Sequence, residues 1–158
     1  MFKVKADHTL KRLVVVQGWG QITGVNCGCT NAPVCRIQSI RMALAIAAHE
    51  DWEVLQLDVQ TAFLNASVQE EVYVETPPGL GSVDVATGLP HVMKLKKSLY
   101  GPRQSPRNWF NTINDSLRYM GFTSSTSDPY VYTFGTSDTF SKLTLYVDNL
   151  LLLEETHR

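Results

Sequence analysis

The sequence predicts a mixed α/β fold in which strands pair antiparallel and helices pack on them. Three observations carry this. Residues 143–153 read L-T-L-Y-V-D-N-L-L-L-L, two apolar runs around a polar pair, which is the pattern of a hairpin. Residues 36–49 and 105–120 carry apolar side chains at helical spacing. Between and beside them lie short runs rich in Val, Leu and Tyr, bounded by Gly and Pro, which read as further strands.

The bulk properties set broad limits. A chain of 158 residues with 44% hydrophobic and 18% charged residues can bury a real core. A net charge of −1 gives no general attraction to nucleic acid. Three cysteines, an odd number, fit free thiols in an intracellular protein better than a disulfide framework. The longest apolar run is too short to span a bilayer, and M-F-K-V-K-A-D-H lacks the apolar centre of a secretory signal. An intracellular location and no membrane partner are therefore expected.

In chain order, Leu13, Val14, Val15 and Val16 predict a strand that Gly18 breaks. Residues 20–34 predict a loop. Cys27, Cys29 and Cys35 lie in or beside it, but C-x-C with one more Cys falls short of a zinc-site spacing, so free thiols are the simpler reading. Residues 36–49 predict a helix with Ile37, Ile40, Leu44 and Ala47 or Ala48 on its core face. Residues 52–59 predict a buried strand carrying Asp58 near its C-terminal end. Strands are expected again within 70–76 and 91–99, around a surface loop at 79–90. Ser105-Pro106 opens a helix whose core face is Phe110, Ile113, Leu117 and Met120, and Gly121 ends it. Residues 130–134 form a strand before the hairpin, whose turn is expected at Asp148-Asn149.

Two features carry chemistry. A carboxylate on a buried strand is costly unless paired, metal-bound or used as a helix cap, which singles out Asp58. Asp58 and Asp148 at the ends of adjacent strands could hold a pair of divalent ions, as in-line phosphoryl transfer requires. The plain alternatives are that Asp58 caps the segment 61–64 and that Asp148 and Asn149 are turn residues. The second feature is the stretch 92–109, which holds Lys94, Lys96, Lys97, Arg103 and Arg107 and no acid. It suits contact with phosphates, or equally a solvated face balanced by acids elsewhere in space.

Five ordered blocks make the sequence recognisable. They are N-A-P-V-C-R-I-Q-S-I-R-M-A-L-A-I-A-A (31–48), W-E-V-L-Q-L-D-V-Q-T-A-F-L-N (52–65), E-E-V-Y-V-E-T-P-P-G (70–79), K-L-K-K-S-L-Y-G-P-R-Q-S-P-R-N-W (94–109) and L-Y-V-D-N-L-L-L (145–152). Together they resemble the reverse transcriptase domain of copia-type LTR retrotransposon Pol polyproteins over nearly the whole chain. The resemblance implies an RNA-directed DNA polymerase with a palm and partial fingers, about 1–50 being fingers and about 51–158 palm with fingers elements. It implies two magnesium ions, deoxynucleotide triphosphates, an RNA or DNA template with its primer, and integrase and RNase H as neighbours in an intact element. By position, Asp58 matches the first catalytic aspartate, and Asp148 the first aspartate of the family's Y-V-D-D turn. Phe63 matches the aromatic that excludes ribonucleotides. Tyr100, Gly101 and Gln104, with Ser105-Pro106, match the turn lining the nucleotide and template pocket, and Lys11 a basic residue near the triphosphate.

The departures from the family pattern shape the expectation. Y-V-D-D is Y-V-D-N here, so the neutral amide of Asn149 replaces a third carboxylate and weakens the expected magnesium binding. K-A-R-L-V appears as K-R-L-V-V, putting Leu13 where a second basic residue belongs, and Asn31 replaces the usual Phe before A-P-V. The chain also stops at Arg158, ahead of the family's thumb and RNase H regions. The reading is thus a fragment of a copia-type reverse transcriptase, present as a decayed copy; the alternative is a non-catalytic remnant that at most binds nucleic acid.

Overall fold

The computed structural model describes the chain except for residues 1, 5–7, 9, 13, 23, 25–26, 29–31, 33, 78, 82, 136–139 and 156–158, and except for the side chains of 2, 3 and 10–12. In chain order its elements are β1 (Phe2–Val4), β2 (Leu10–Arg12), a 3-10 turn (Gly18–Gly20), α1 (Ile37–Glu50), β3 (Glu53–Asp58), α2 (Ala62–Asn65), β4 (Tyr73–Glu75), β5 (Val92–Lys94), α3 (Ser105–Tyr119), β6 (Thr123–Ser124), β7 (Val131–Gly135), β8 (Phe140–Tyr146) and β9 (Asn149–Glu154). The strands form antiparallel sheets, so the mixed α/β class read from the sequence holds. Among the described residues no helix is long and apolar enough to cross a membrane.

Two compact units divide the chain, Met1–Asn31 with Phe63–Trp109, and Ala32–Ala62 with Phe110–Arg158. The first unit holds two small antiparallel sheets, β1 with β2 and β4 with β5. The strand expected at 13–16 is not one. β2 ends at Arg12, Leu13 lies outside the described residues, and Val15 makes only a single parallel bridge to Tyr100. Val14 and Val15 are exposed, so their β-branched side chains signal an extended segment, not a buried strand.

The second unit is built on a five-stranded sheet in the order β3-β9-β8-β7-β6. Tyr132, Leu143, Leu145 and Leu150 bury their side chains in one cluster, with Leu117, Cys35 and Tyr130 among them. Phe110 and Ile113 of α3 pack against it, as their spacing predicts, but Met120 is exposed. Gly121 (φ 96) ends α3: Phe122 N–H donates to the Leu117 carbonyl at 3.0 Å and Gly121 N–H to the Arg118 carbonyl at 2.9 Å, a Schellman closure.

Two expectations about burial need correction. The face of α1 that meets the sheet is Ala43 and Ala47 against Leu153, with Trp52 beside them, while Ile37 and Leu44 are exposed. Small residues let α1 approach closely; of the bulky ones expected on its core face, Ile40 packs against the main cluster while Ile37 and Leu44 turn outward. More importantly, β3 is not buried. It pairs only with β9, at the edge of the sheet, and Val54, Leu55 and Leu57 are 43%, 45% and 46% exposed. An apolar run signals burial only where both neighbours exist.

Asp128 ties this unit together. Its side chain is buried and accepts hydrogen bonds from Ser39 Oγ at 2.6 Å, Arg36 N–H at 3.0 Å and Tyr130 N–H at 3.2 Å. Arg36, the N-cap of α1, has no side-chain cap bond of its own, so a carboxylate from 92 positions away meets the helix N-terminus instead. Burial works to raise the Asp128 carboxyl, but these bonds outweigh it and hold the group below the usual carboxylate range. The Cys35 thiol lies 3.7 Å from Asp128 Oδ2, and burial, followed by the charge and hydrogen bond of Asp128, pushes it up to about 12.

Candidate functional site

The hairpin of β8 and β9 fixes the candidate carboxylates in the second unit. Tyr146 pairs with Asn149, leaving Val147 and Asp148 as the two turn residues. Asn149 is therefore the first residue of β9, one position beyond the expected turn. Val147 has φ 58, a left-handed conformation that hairpins of this kind reserve for Gly at their first central position. A β-branched residue there stores strain on the order of 1–3 kcal/mol.

β3 brings Asp58 to the same end of the sheet. In the β3–β9 register Asp58 lies opposite Asn149, and Val59 N–H donates to the Asp148 carbonyl at 2.8 Å. The row across the sheet is thus Asp58, Asn149, Tyr146. Asp148 is at the tip, and its Oδ1 accepts a hydrogen bond from Asn149 Nδ2 at 3.2 Å. Asp58 is exposed and the other two are half-buried. The register partner of Asp58 is hence Asn149, with Asp148 one step nearer the turn. Asp58 is not the cap of α2, which begins four residues later at Ala62.

A hard cation such as magnesium asks for oxygen donors, and Asp58, Asp148 and the Asn149 amide oxygen supply three. They bring two negative charges where a third carboxylate would bring another. Among the described residues no group of three or more His, Cys, Asp or Glu is placed to hold a metal ion. The donor chemistry fits magnesium; the charge falls short by one.

The first unit gathers the other sequence-identified residues around the turn at 100–104. Phe63 is buried and its ring lies 4.6 Å from that of Tyr100, tilted by 57°. Gly101 has φ 114, and a Cβ there would lie 1.8 Å from the Val16 carbonyl oxygen. Only glycine fits. Gln104 is 2% exposed; its Oε1 accepts from Gln21 Nε2 at 3.0 Å, while its own buried Nε2 has no hydrogen-bond partner among the described residues. Gln21 also accepts from the Arg103 N–H at 2.8 Å. Lys11 lies on β2, but its side chain is outside the described residues, as are Cys29 and Asn31. Cys27 and Cys35 are buried, and neither forms a disulfide among the described residues.

The basic stretch is less uniform than its sequence. Lys94 forms an ion pair with Glu71 and sits 5.9 Å from the centre of the Tyr73 ring. The hydrogen bond between them, with their charges, lowers the Glu71 carboxyl and raises the Lys94 amine. Lys96, Lys97 and Arg103 are exposed and Arg107 is half-buried. Sequence reasoning passed over Gln21, Asp128 and the strained Val147. Their partners are distant in the chain or their conformation is invisible in it.

Residues 2–157 match the family model described as reverse transcriptase (RNA-dependent DNA polymerase). Among curated proteins, the chain is 39% identical to the Retrovirus-related Pol polyprotein from transposon TNT 1-94 of Nicotiana tabacum, over 97% of this chain and 12% of that protein. It is 33% identical to the Retrovirus-related Pol polyproteins from transposons RE1 and RE2 of Arabidopsis thaliana, in each case over 95% of this chain and 10% of theirs. The chain thus spans about an eighth or less of the length of these relatives. No solved structure matches it. With a family model covering nearly its whole length, the chain belongs to the reverse transcriptase family, and its similarity is to the copia-type transposon Pol proteins.

Proposed function

We propose that the second unit is the palm of an RNA-directed DNA polymerase and that Asp58 and Asp148 are its metal-holding carboxylates, in a copy weakened by Asn149. The observation that carries this is the register that brings Asp58 opposite Asn149 beside the strained Val147-Asp148 turn. Bound divalent ions would lower the barrier to attack by a primer 3′-hydroxyl and offset charge on the departing pyrophosphate. Asp58 and Asp148 would hold such ions, and the amide of Asn149 would contribute an oxygen without charge.

The first unit carries the residues matched to the family's nucleotide and template contacts. Phe63, packed against Tyr100, is the residue matched to the family's aromatic that excludes ribonucleotides. The unpartnered Nε2 of Gln104 is a buried donor suited to an acceptor on nucleotide or template. Lys96, Lys97 and Arg103 meet phosphates, while Lys94 is already neutralised by Glu71.

The non-catalytic alternative is favoured by the Asn149 amide donating to Asp148 Oδ1, which engages an oxygen that a cation would need. Magnesium-dependent primer extension on an RNA template separates the two readings. The chain should be grafted into the corresponding span of the tobacco relative. The graft is expected to be nearly inactive, Asn149→Asp to raise incorporation on the order of 10²–10³-fold, and Asp58→Asn to remove the gain. A graft with Asn149 that extends as fast as Asn149→Asp would sink the proposed weakening.

A further inference from the structure

We propose that Trp19 is a stacking platform for an unpaired base of a single-stranded nucleic acid whose backbone Arg103 contacts. Trp19 is 79% exposed, although Trp is highly buried on average in folded proteins. It stands at the centre of the turn Gly18–Gly20, and that turn is clamped. A Cβ on Gly18 would lie 1.9 Å from the Gly101 carbonyl oxygen, so backbone meets backbone there. Val16 N–H donates to the Tyr100 carbonyl at 2.8 Å, and Gln21 holds both the Arg103 N–H and the Gln104 side chain. The indole is therefore presented to solvent from a fixed base, at a known place beside the 100–104 turn. Exposure without mobility of the backbone is what a stacking surface needs, because little ordering is left to do on binding.

Charge and shape select the partner. Neither residues 8–31 nor 92–109 contain a single acid, while Arg103 is exposed next to Gln21's anchor point. Val14, Val15 and Ile22 are exposed around the turn and offer apolar surface to a sugar or base. A large exposed π-face on a turn whose anchor residue Gln21 also holds the backbone of exposed Arg103 suits a single strand with splayed bases. The stretches 8–31 and 92–109 carry cations without acids in sequence, which favours phosphates over an ordinary protein surface. The inference extends the polymerase reading, since an unpaired template is such a strand, but its test does not require polymerisation.

The test is fluorescence anisotropy of a labelled oligothymidylate titrated with the 158-residue chain over a range of salt. Trp19→Ala should weaken binding on the order of tenfold, as loss of one stacked base does, while Trp19→Phe keeps most of the affinity. Trp19→Ala should leave the salt slope unchanged, and Arg103→Ala should lower it by about one phosphate contact. Equal binding by wild type and Trp19→Ala, equal loss for Phe and Ala, or no binding by wild type at low salt would each overturn the proposal. So would Trp19-dependent self-association without Trp19-dependent oligonucleotide binding. Trp19-dependent binding by a graft that never extends a primer, even with Asn149→Asp, would overturn the polymerase reading and uphold this one.

Discussion

Removing the Asp128 carboxylate should cost this chain more stability than any exposed substitution. Three N–H and O–H donors converge on it beside the weaker Cys35 thiol: Ser39 Oγ at 2.6 Å, Arg36 N–H at 3.0 Å and Tyr130 N–H at 3.2 Å. Hydrogen bonds to a buried charged group contribute about 1.5–3 kcal/mol each. Taking the low end of that range, and discounting for water entering the space left by the side chain, Asp128→Ala should destabilise by about 3 kcal/mol. Against a domain's total of about 5–15 kcal/mol that is a large share. With a urea slope of about 2 kcal/mol/M, the midpoint should fall by about 1.5 M. Asp128→Asn keeps one acceptor and should fall by about two-thirds as much. The pH dependence follows from the same bonds. Because the folded carboxyl is held below its ordinary value, its stabilisation is complete above an unfolded value of about 3.9 and is lost as pH falls through the lower folded one. Asp128→Asn should flatten the wild-type stability curve in that acid window. A midpoint shift under about 0.3 M for Asp128→Ala, or an unchanged acid limb in Asp128→Asn, would refute the reasoning.

Other outcomes follow from particular contacts. Cys35 should resist alkylation at pH 8 in the folded chain and react fully in urea, because burial and Asp128 keep its thiol protonated; mass mapping checks this. Val147→Gly should raise stability by about 1 kcal/mol in urea melts by relieving the left-handed strain, and a loss would argue that Val147 packs more than it strains. In oligonucleotide titrations, Lys94→Ala should change the salt slope less than Lys96→Ala or Lys97→Ala, since Glu71 already balances Lys94. Equal slopes for the three would remove that distinction.

How far the sequence could be read depended on how local the cause was. The hairpin at 143–153 and both long helices were legible because alternation and helical spacing are written in neighbouring residues, and Gly121 marked its helix end. Burial was legible only in part. The Val-Leu-rich run at 53–58 reads as a core strand, yet its place at the sheet edge, paired with β9 alone, leaves it exposed, and place in a sheet is not a local property. The turn was misread by one residue because Asn149 is a good turn former and Val147 a poor one, while strand pairing put Val147 in the turn regardless. The Asp58–Asn149 pairing needed the register of strands some ninety positions apart. Gln104 and Asp128 are buried and Gln21 half-buried through tertiary contacts that no local pattern in the sequence reveals.

The central claim is that Asp58 and Asp148 share a cation site that Asn149 weakens. Paramagnetic broadening of backbone amides during a manganese titration of the labelled chain tests it most directly. The account predicts that the amides of Asp58, Val59, Val147, Asp148 and Asn149 broaden first, and that Asp58→Asn or Asp148→Asn abolishes this. It also predicts that Asn149→Asp tightens binding by about tenfold, because ligand charge tunes the affinity of oxygen sites. Broadening centred elsewhere, such as on Glu70 and Glu71, or broadening at the hairpin that survives Asp58→Asn, would contradict it.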